Sequence, residues 1–198
     1  MPNPYVITGV GIAILIALII IFVPWGEVPN IDPYMPENLF TIESPVFPES
    51  GTIPAKYTCD VTPTISPPLT IRNAPGEARS LALIVVDPDI SEETKRARGI
   101  EVFDHWVLFN ISPETKEIEE GQSAGTHGKN GKGTNEYLGP CPPPEYAPKE
   151  HRYFFTLYAL DTMLNLKEGA TKDEVLAAME GHELGSATLI GRYERLSR

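Results

Sequence analysis

The chain has 198 residues, with 27 acidic against 16 basic side chains and a formal net charge of −11. That length buries the core of one ordinary domain, while the acidic surplus opposes a nucleic-acid partner, whose phosphates call for clustered Lys and Arg. The two cysteines, Cys59 and Cys141, are too few for a disulfide framework and lack zinc-ligand spacing, so their pairing is left open.

In chain order, the first feature is an uncharged apolar run of 18 residues from Val6 to Val23, with Tyr5 and Trp25 where interfacial aromatics would sit. It is near the lower length for crossing a bilayer and lacks the basic start of a signal peptide, so residues 1–25 are expected to be an uncleaved, single-pass membrane helix. Residues 26–37 are rich in proline and polar groups and read as a linker to a domain at 38–198. The domain is expected to lie outside the cytoplasm, although the flanks carry no Lys/Arg asymmetry to orient it.

Strand-like runs follow at 39–44, 68–73, 80–87, 102–111 and 152–160, separated by Pro, Gly and Asn. This spacing predicts a mainly β domain, a sandwich of Greek-key type with a few peripheral helices. A helix is predicted over 171–180, where Thr171 and Glu174 form a capping box and Gly181 stops it. The tail after it fits either more helix or a late strand. Residues 121–139 hold six glycines and read as a flexible loop, with His127 an ordinary loop residue.

Polar groups collect where strands meet turns: Asp87, Pro88 and Asp89 after one apolar run, His105 before another, and His151 with Tyr153 at the start of a third. Strict alternation puts His151 and Tyr153 on one face of their strand, and His105 on the face of Val107 and Phe109, opposite Trp106. Before His151 stands a stiff ledge, Gly139, Pro140, Cys141, Pro142 and Pro143, whose prolines exclude helix. Two carboxylates and two imidazoles could be metal ligands, an acid/base pair, or an anion pocket. No HxH, HxxxH or HExxH spacing supports a metal and no GxSxG supports a serine hydrolase, so neither metal nor cofactor is expected.

These segments together resemble the phosphatidylethanolamine-binding protein family, in its bacterial and archaeal Raf-kinase-inhibitor-like branch. The resemblance rests on IPAKYTCD (53–60), SPPLTI (66–71), SLALIVVDPD (80–89), DHWVLFNI (104–111), the stretch 137–161 and the tail 169–195. It implies a β-sandwich whose tail is a strand, and a small pocket for phosphate, a phosphoryl headgroup or an acetate-like anion. Carried over residue by residue, the pocket would use Asp87, Pro88, Asp89, His105, Gly139, Pro140, Cys141, Pro142, Pro143, His151 and Tyr153. The chain departs from the family's pattern after Asp89, where a charged insertion at 90–104 stands beside the pocket. The expected function is a non-enzymatic, membrane-tethered binding domain for a small anionic ligand such as a phosphate or a phospholipid headgroup. The alternative is an inhibitor of a serine protease or kinase, for which 90–104 would be a contact loop, and a hydrolase using His105 and His151 ranks third.

Overall fold

A computed structural model describes residues 39–195. The expected membrane helix and linker lie outside the described residues, among which no helix is long and apolar enough to cross a membrane. The strands are β1 (Thr41–Glu43), β2 (Gly51–Thr52), β3 (Leu69–Arg72), β4 (Ser80–Asp87), β5 (Phe103–Ile111), β6 (Glu117–Ile118), β7 (Thr126–His127), β8 (Glu150–Leu160) and β9 (Glu183–Glu194). Helix α1 (Glu92–Arg98) falls between β4 and β5, and α2 (Lys172–Met179) between β8 and β9.

The strands form two sheets, β1-β3-β6 and β2-β9-β8-β4-β5-β7. Ile42, Leu69, Ile71 and Ile118 from the small sheet pack against Leu83, Val85, Trp106, Leu108, Phe155 and Leu157 from the large one. That is the sandwich core. The opposite face of the large sheet presents Ile84, Val107 and Phe109, which are covered by Val175 and Met179 of α2. The central strands β4 and β5 are therefore buried on both sides, as their near-continuous apolar sequences require. The tail is a strand, β9, paired antiparallel with β8 along its length.

Helix α2 begins with the expected capping box, the Thr171 side chain accepting from the Glu174 N–H while the Glu174 carboxylate accepts from the Thr171 N–H. Helix α1 was not predicted. Its signals are local and legible: Ser91 caps the N-terminus, acidic residues fill the first turn, basic residues the last, and Gly99 at φ 66° closes it in the left-handed region.

One register feature sets the position of His105. Val85 pairs with Trp106 but the next residue, Val86, pairs with Asp104, so β5 carries one extra residue, a β-bulge at His105. The bulge breaks the alternation assumed from sequence. His105 does not join Val107 and Phe109 beneath α2; its ring instead meets Tyr153 edge-on, with centroids 5.1 Å apart, on the sandwich side of the sheet.

Candidate functional site

The site forms where β4, β5 and β8 end together. Asp87 is the last residue of β4 and is buried. Its Oδ1 accepts the backbone N–H of Asp89 at 2.8 Å, a short turn that Pro88 favours by its fixed φ. Its Oδ2 accepts the Nδ1–H of His151 at 2.7 Å, and the other ring nitrogen of His151 donates to the Pro148 carbonyl at 3.1 Å. Both side chains of the pair are about one-twentieth exposed, at 4% and 5%. Burial is the largest single influence on His151 and pulls its pKa down. It is outweighed by the hydrogen bond and charge of Asp87, the charge of Asp89 and the Pro148 carbonyl, so the net shift is upward. His151 thus keeps its proton to higher pH than an ordinary histidine, and both ring nitrogens face acceptors.

His105 behaves in the opposite way. Its Nδ1 lies 2.6 Å from the Leu138 carbonyl, which can only accept, so Nδ1 carries the proton and Nε2 is left as an acceptor. Burial dominates and lowers its pKa below the ordinary value. The pocket therefore favours the charged form of one imidazole and the neutral form of the other. Phe103 and Tyr153 flank the neutral ring edge-on. The Tyr153 hydroxyl is buried and makes no hydrogen bond of good geometry, although the Cys141 backbone lies close enough to act on its ionisation; burial raises its pKa.

The proline ledge forms a second wall. Gly139 is pressed so closely to the Tyr57–Thr58 backbone that an added Cβ would lie 2.7 Å from the Tyr57 carbonyl oxygen and 2.9 Å from the Thr58 Cα. The Pro140 carbonyl accepts the Cys59 N–H at 3.0 Å, and Cys59 and Cys141 form a disulfide, which settles the question that spacing left open.

A cavity of about 330 Å³ lies between these walls. Of the residues expected in the site, Asp87, His105, Gly139, Cys141, Pro142, Pro143 and His151 line it. Pro88, Asp89, Pro140 and Tyr153 are outside the lining. Asp89 serves as a brace: it accepts from the Arg152 Nε at 2.8 Å, Nη2 at 2.7 Å and backbone N–H at 2.9 Å, and this bonding holds its carboxyl below the usual carboxylate range.

The insertion at 90–104 supplies the third wall. Ile90, Ser91, Thr94, Arg98 and Phe103 line the cavity, and the Arg98 guanidinium sits 5.6 Å from the Phe103 ring centroid. Lys132 lines the cavity from the glycine-rich loop. That loop is ordered around the buried Asn130, whose side chain donates to Thr134 and to the Glu136 carbonyl and accepts from the Lys132 and Thr134 N–H groups. Neither Arg98 nor Lys132 is named by the sequence reading: Arg98 lies in the insertion read only as a charged segment beside the pocket, and Lys132 in a stretch read as a flexible loop. The caps of α1 were the one signal that could have found Arg98. Among the described residues no group of three His, Cys, Asp or Glu side chains could hold a metal ion.

The chemistry of the cavity is mixed. Arg98, Lys132 and the His151 imidazolium supply positive charge, the His105 Nε2 and the Asp87 carboxylate supply acceptors, and Ile90, Phe103, Leu138, Pro142 and Pro143 supply apolar surface.

Comparison with known proteins agrees with this architecture. A UPF0098 protein of Methanothermobacter thermautotrophicus is 47% identical over 161 residues, covering 78% of this chain and 98% of the relative. A Mycobacterium tuberculosis protein whose name describes it as a lipoprotein, LppC, is 37% identical over 156 residues, 78% of this chain and 72% of that protein. The crystal structure of the Chlamydia trachomatis phosphatidylethanolamine-binding protein homologue CT736 superposes with a TM-score of 0.73 at 39% identity, covering 80% of this chain and 99% of that one. Escherichia coli YbcL, at 20% identity and a TM-score of 0.67, shares the fold. The family model described as phosphatidylethanolamine-binding protein matches residues 43–194, from the β1 edge of the sandwich to the end of β9, and the chain belongs to that family.

Proposed function

We propose that the domain is a non-enzymatic binding module whose cavity takes a small phosphorylated or similar anionic ligand, with phosphoethanolamine as its simplest form. The observation that carries this reading is the division of labour between the two histidines. His151 is held charged by Asp87, while His105 is held neutral with Nε2 as an acceptor. With Arg98 and Lys132 beside them, a fitting ligand brings acceptor oxygens for those cations, negative charge for the His151 imidazolium and a hydrogen-bond donor for His105. A phosphoryl oxygen set with an ammonium or a phosphate O–H does so; sulfate offers only the acceptors. Arg98 and Lys132 are the side chains free to meet the phosphoryl oxygens, since the His151 N–H groups already have partners. Family membership supports the same class of ligand through the binding activity in the family's name.

In this reading residues 6–23 tether the domain to a membrane, 26–37 link it, and 38–198 form the binding module outside the cytoplasm. The Cys59–Cys141 disulfide suits an oxidising compartment, and one relative carries a lipoprotein name. The inward placement of Ser91, Thr94 and Arg98 makes α1 a wall of the pocket, which favours ligand binding over the alternative in which 90–104 is an inhibitory contact loop.

Isothermal titration of the full chain tests the proposal. Phosphoethanolamine is expected to bind more tightly than sulfate, and Arg98→Gln to weaken it by about tenfold, the loss of one charge-assisted hydrogen bond of roughly 1.5 kcal/mol. No heat from either anion, or equal affinity in Arg98→Gln, would remove the reading.

A further inference from the structure

Helix α1, in the charged insertion after Asp89, differs from α2 in what holds it to the domain. Helix α2 buries Val175 and Met179 in the core it shares with the large sheet, whereas no residue of α1 is buried and none belongs to either core cluster. Its sequence, EETKRAR, has no apolar stripe, and a helix that is polar all round gains nothing from packing. Its bonds are internal. The Ser91 hydroxyl accepts the Thr94 N–H, Glu92 pairs with Lys95 at 3.0 Å, and the Gly99 and Ile100 N–H groups donate back to the Lys95 carbonyl at 2.8 and 3.1 Å. Among the described residues no hydrogen bond or ion pair joins 91–100 to the rest of the domain; what reaches beyond the segment is the Arg98 guanidinium over the ring of Phe103, the first residue of β5.

Seven residues are too few to sustain a helix in water, since isolated helices shorter than about 12 residues are marginal. The Ser91 cap, the acidic first turn, the basic last turn and Gly99 each favour α1 by a small amount, which places the segment near the balance between helix and coil. Its inner face is nonetheless specific. Ser91, Thr94 and Arg98, spaced three and four residues apart, fall on one side of the helix and line the first cavity, while Glu92, Glu93, Arg96 and Ala97 are exposed and lie outside that lining. Helix formation is therefore what brings Thr94 and Arg98 to the cavity together.

We infer, on the strength of the anion-binding reading above, that α1 is a lid that folds onto the ligand. Without ligand the segment exchanges between coil and helix; an anion held by Arg98 supplies the tertiary contact that the helix lacks. Ordering and binding are then linked in both directions, so a change that weakens the helix on its solvent side weakens binding without touching the ligand. The two cores include no residue of the segment, so the stability of the sandwich does not follow the state of the lid.

Amide hydrogen exchange of the full chain, with phosphoethanolamine as the probe, reads the lid directly. In the free protein the amides of 95–100 are expected to exchange at close to the rate of an unstructured chain while those of β4, β5 and β8 stay protected. At a phosphoethanolamine concentration a hundred times its dissociation constant, the same amides should slow by at least about tenfold. Ala97→Gly, on the exposed side, is expected to raise the dissociation constant about three- to fivefold, the helix penalty of glycine passed on to binding, with Tm unchanged. Titration heat from phosphoethanolamine with no slowing at 95–100, free-state amides there as protected as those of β5, or wild-type affinity in Ala97→Gly would overturn the lid and leave the anion site in place. No heat at all would remove both.

Discussion

Asp87→Ala is expected to lower the unfolding free energy by about 3–5 kcal/mol, the usual cost of removing one partner from a buried ion pair. Asp87 and His151 are both buried and meet at 2.7 Å, and Asp87 also receives the Asp89 N–H. Without the carboxylate, burial is left as the main influence on His151, and the imidazole loses its proton rather than remain charged and unpaired. The loss should depend on pH with a defined sign. The folded pKa of His151 lies above its unfolded value of about 6.5, so the pair's contribution is fully present below that value and disappears as pH rises through the folded pKa. Urea unfolding of wild type and variant at mildly acidic and at alkaline pH checks this: the gap between the two should narrow toward alkaline pH. A gap under about 1 kcal/mol, or one that widens with pH, would contradict the assignment of His151 as an imidazolium.

Removing the Cys59–Cys141 disulfide is the second large change. The bridge spans 82 positions of sequence, so its loss returns considerable freedom to the unfolded chain and should cost about 2–5 kcal/mol, or roughly 5–15 °C in Tm for a domain of this size. The effect is also local. Both cysteines line the first cavity, and apart from the bridge the ledge is tied to the Tyr57–Asp60 segment by the Cys59 N–H to Pro140 carbonyl bond. The Cys59→Ser/Cys141→Ser variant should therefore bind phosphoethanolamine more weakly even under conditions where it is fully folded. Thermal unfolding with and without a dithiol reductant, together with a titration of the double variant, measures both parts. An unchanged Tm would show that the bridge adds no constraint, and unchanged affinity would show that the ledge holds its shape without it.

Much of this was legible in the residues, for identifiable reasons. His151 and Tyr153 share a face because β8 is regular at its start, so period-two alternation reads it correctly from His151 to Ala159. His105 was misplaced by the same rule. Its bulge arises from how β5 pairs with β4, and nothing in the run DHWVLFNI announces which residue is the extra one. The short strands β2, β6 and β7 have two residues each and no pattern of their own; they exist because longer strands offer an edge. The disulfide was undecidable because two cysteines 82 positions apart become neighbours only through the packing of the ledge. Helix α1 was a missed reading of signals that were present, with Ser91, the acidic first turn and Gly99 all in place.

The most direct test of the account observes the two imidazoles themselves. Long-range ¹⁵N–¹H spectra distinguish an imidazolium from each neutral tautomer, and they can be recorded on the full chain at a pH near the ordinary histidine value, where a raised pKa leaves a ring mostly protonated and a lowered one leaves it mostly neutral. His151 should show both ring nitrogens protonated and His105 the neutral Nδ1–H form, and both should shift to saturation on addition of phosphoethanolamine while His182, at the exposed Asp161 pair, does not. A neutral His151 at that pH, or ring signals of His105 and His151 that stay fixed at high phosphoethanolamine, would contradict the proposed anion site.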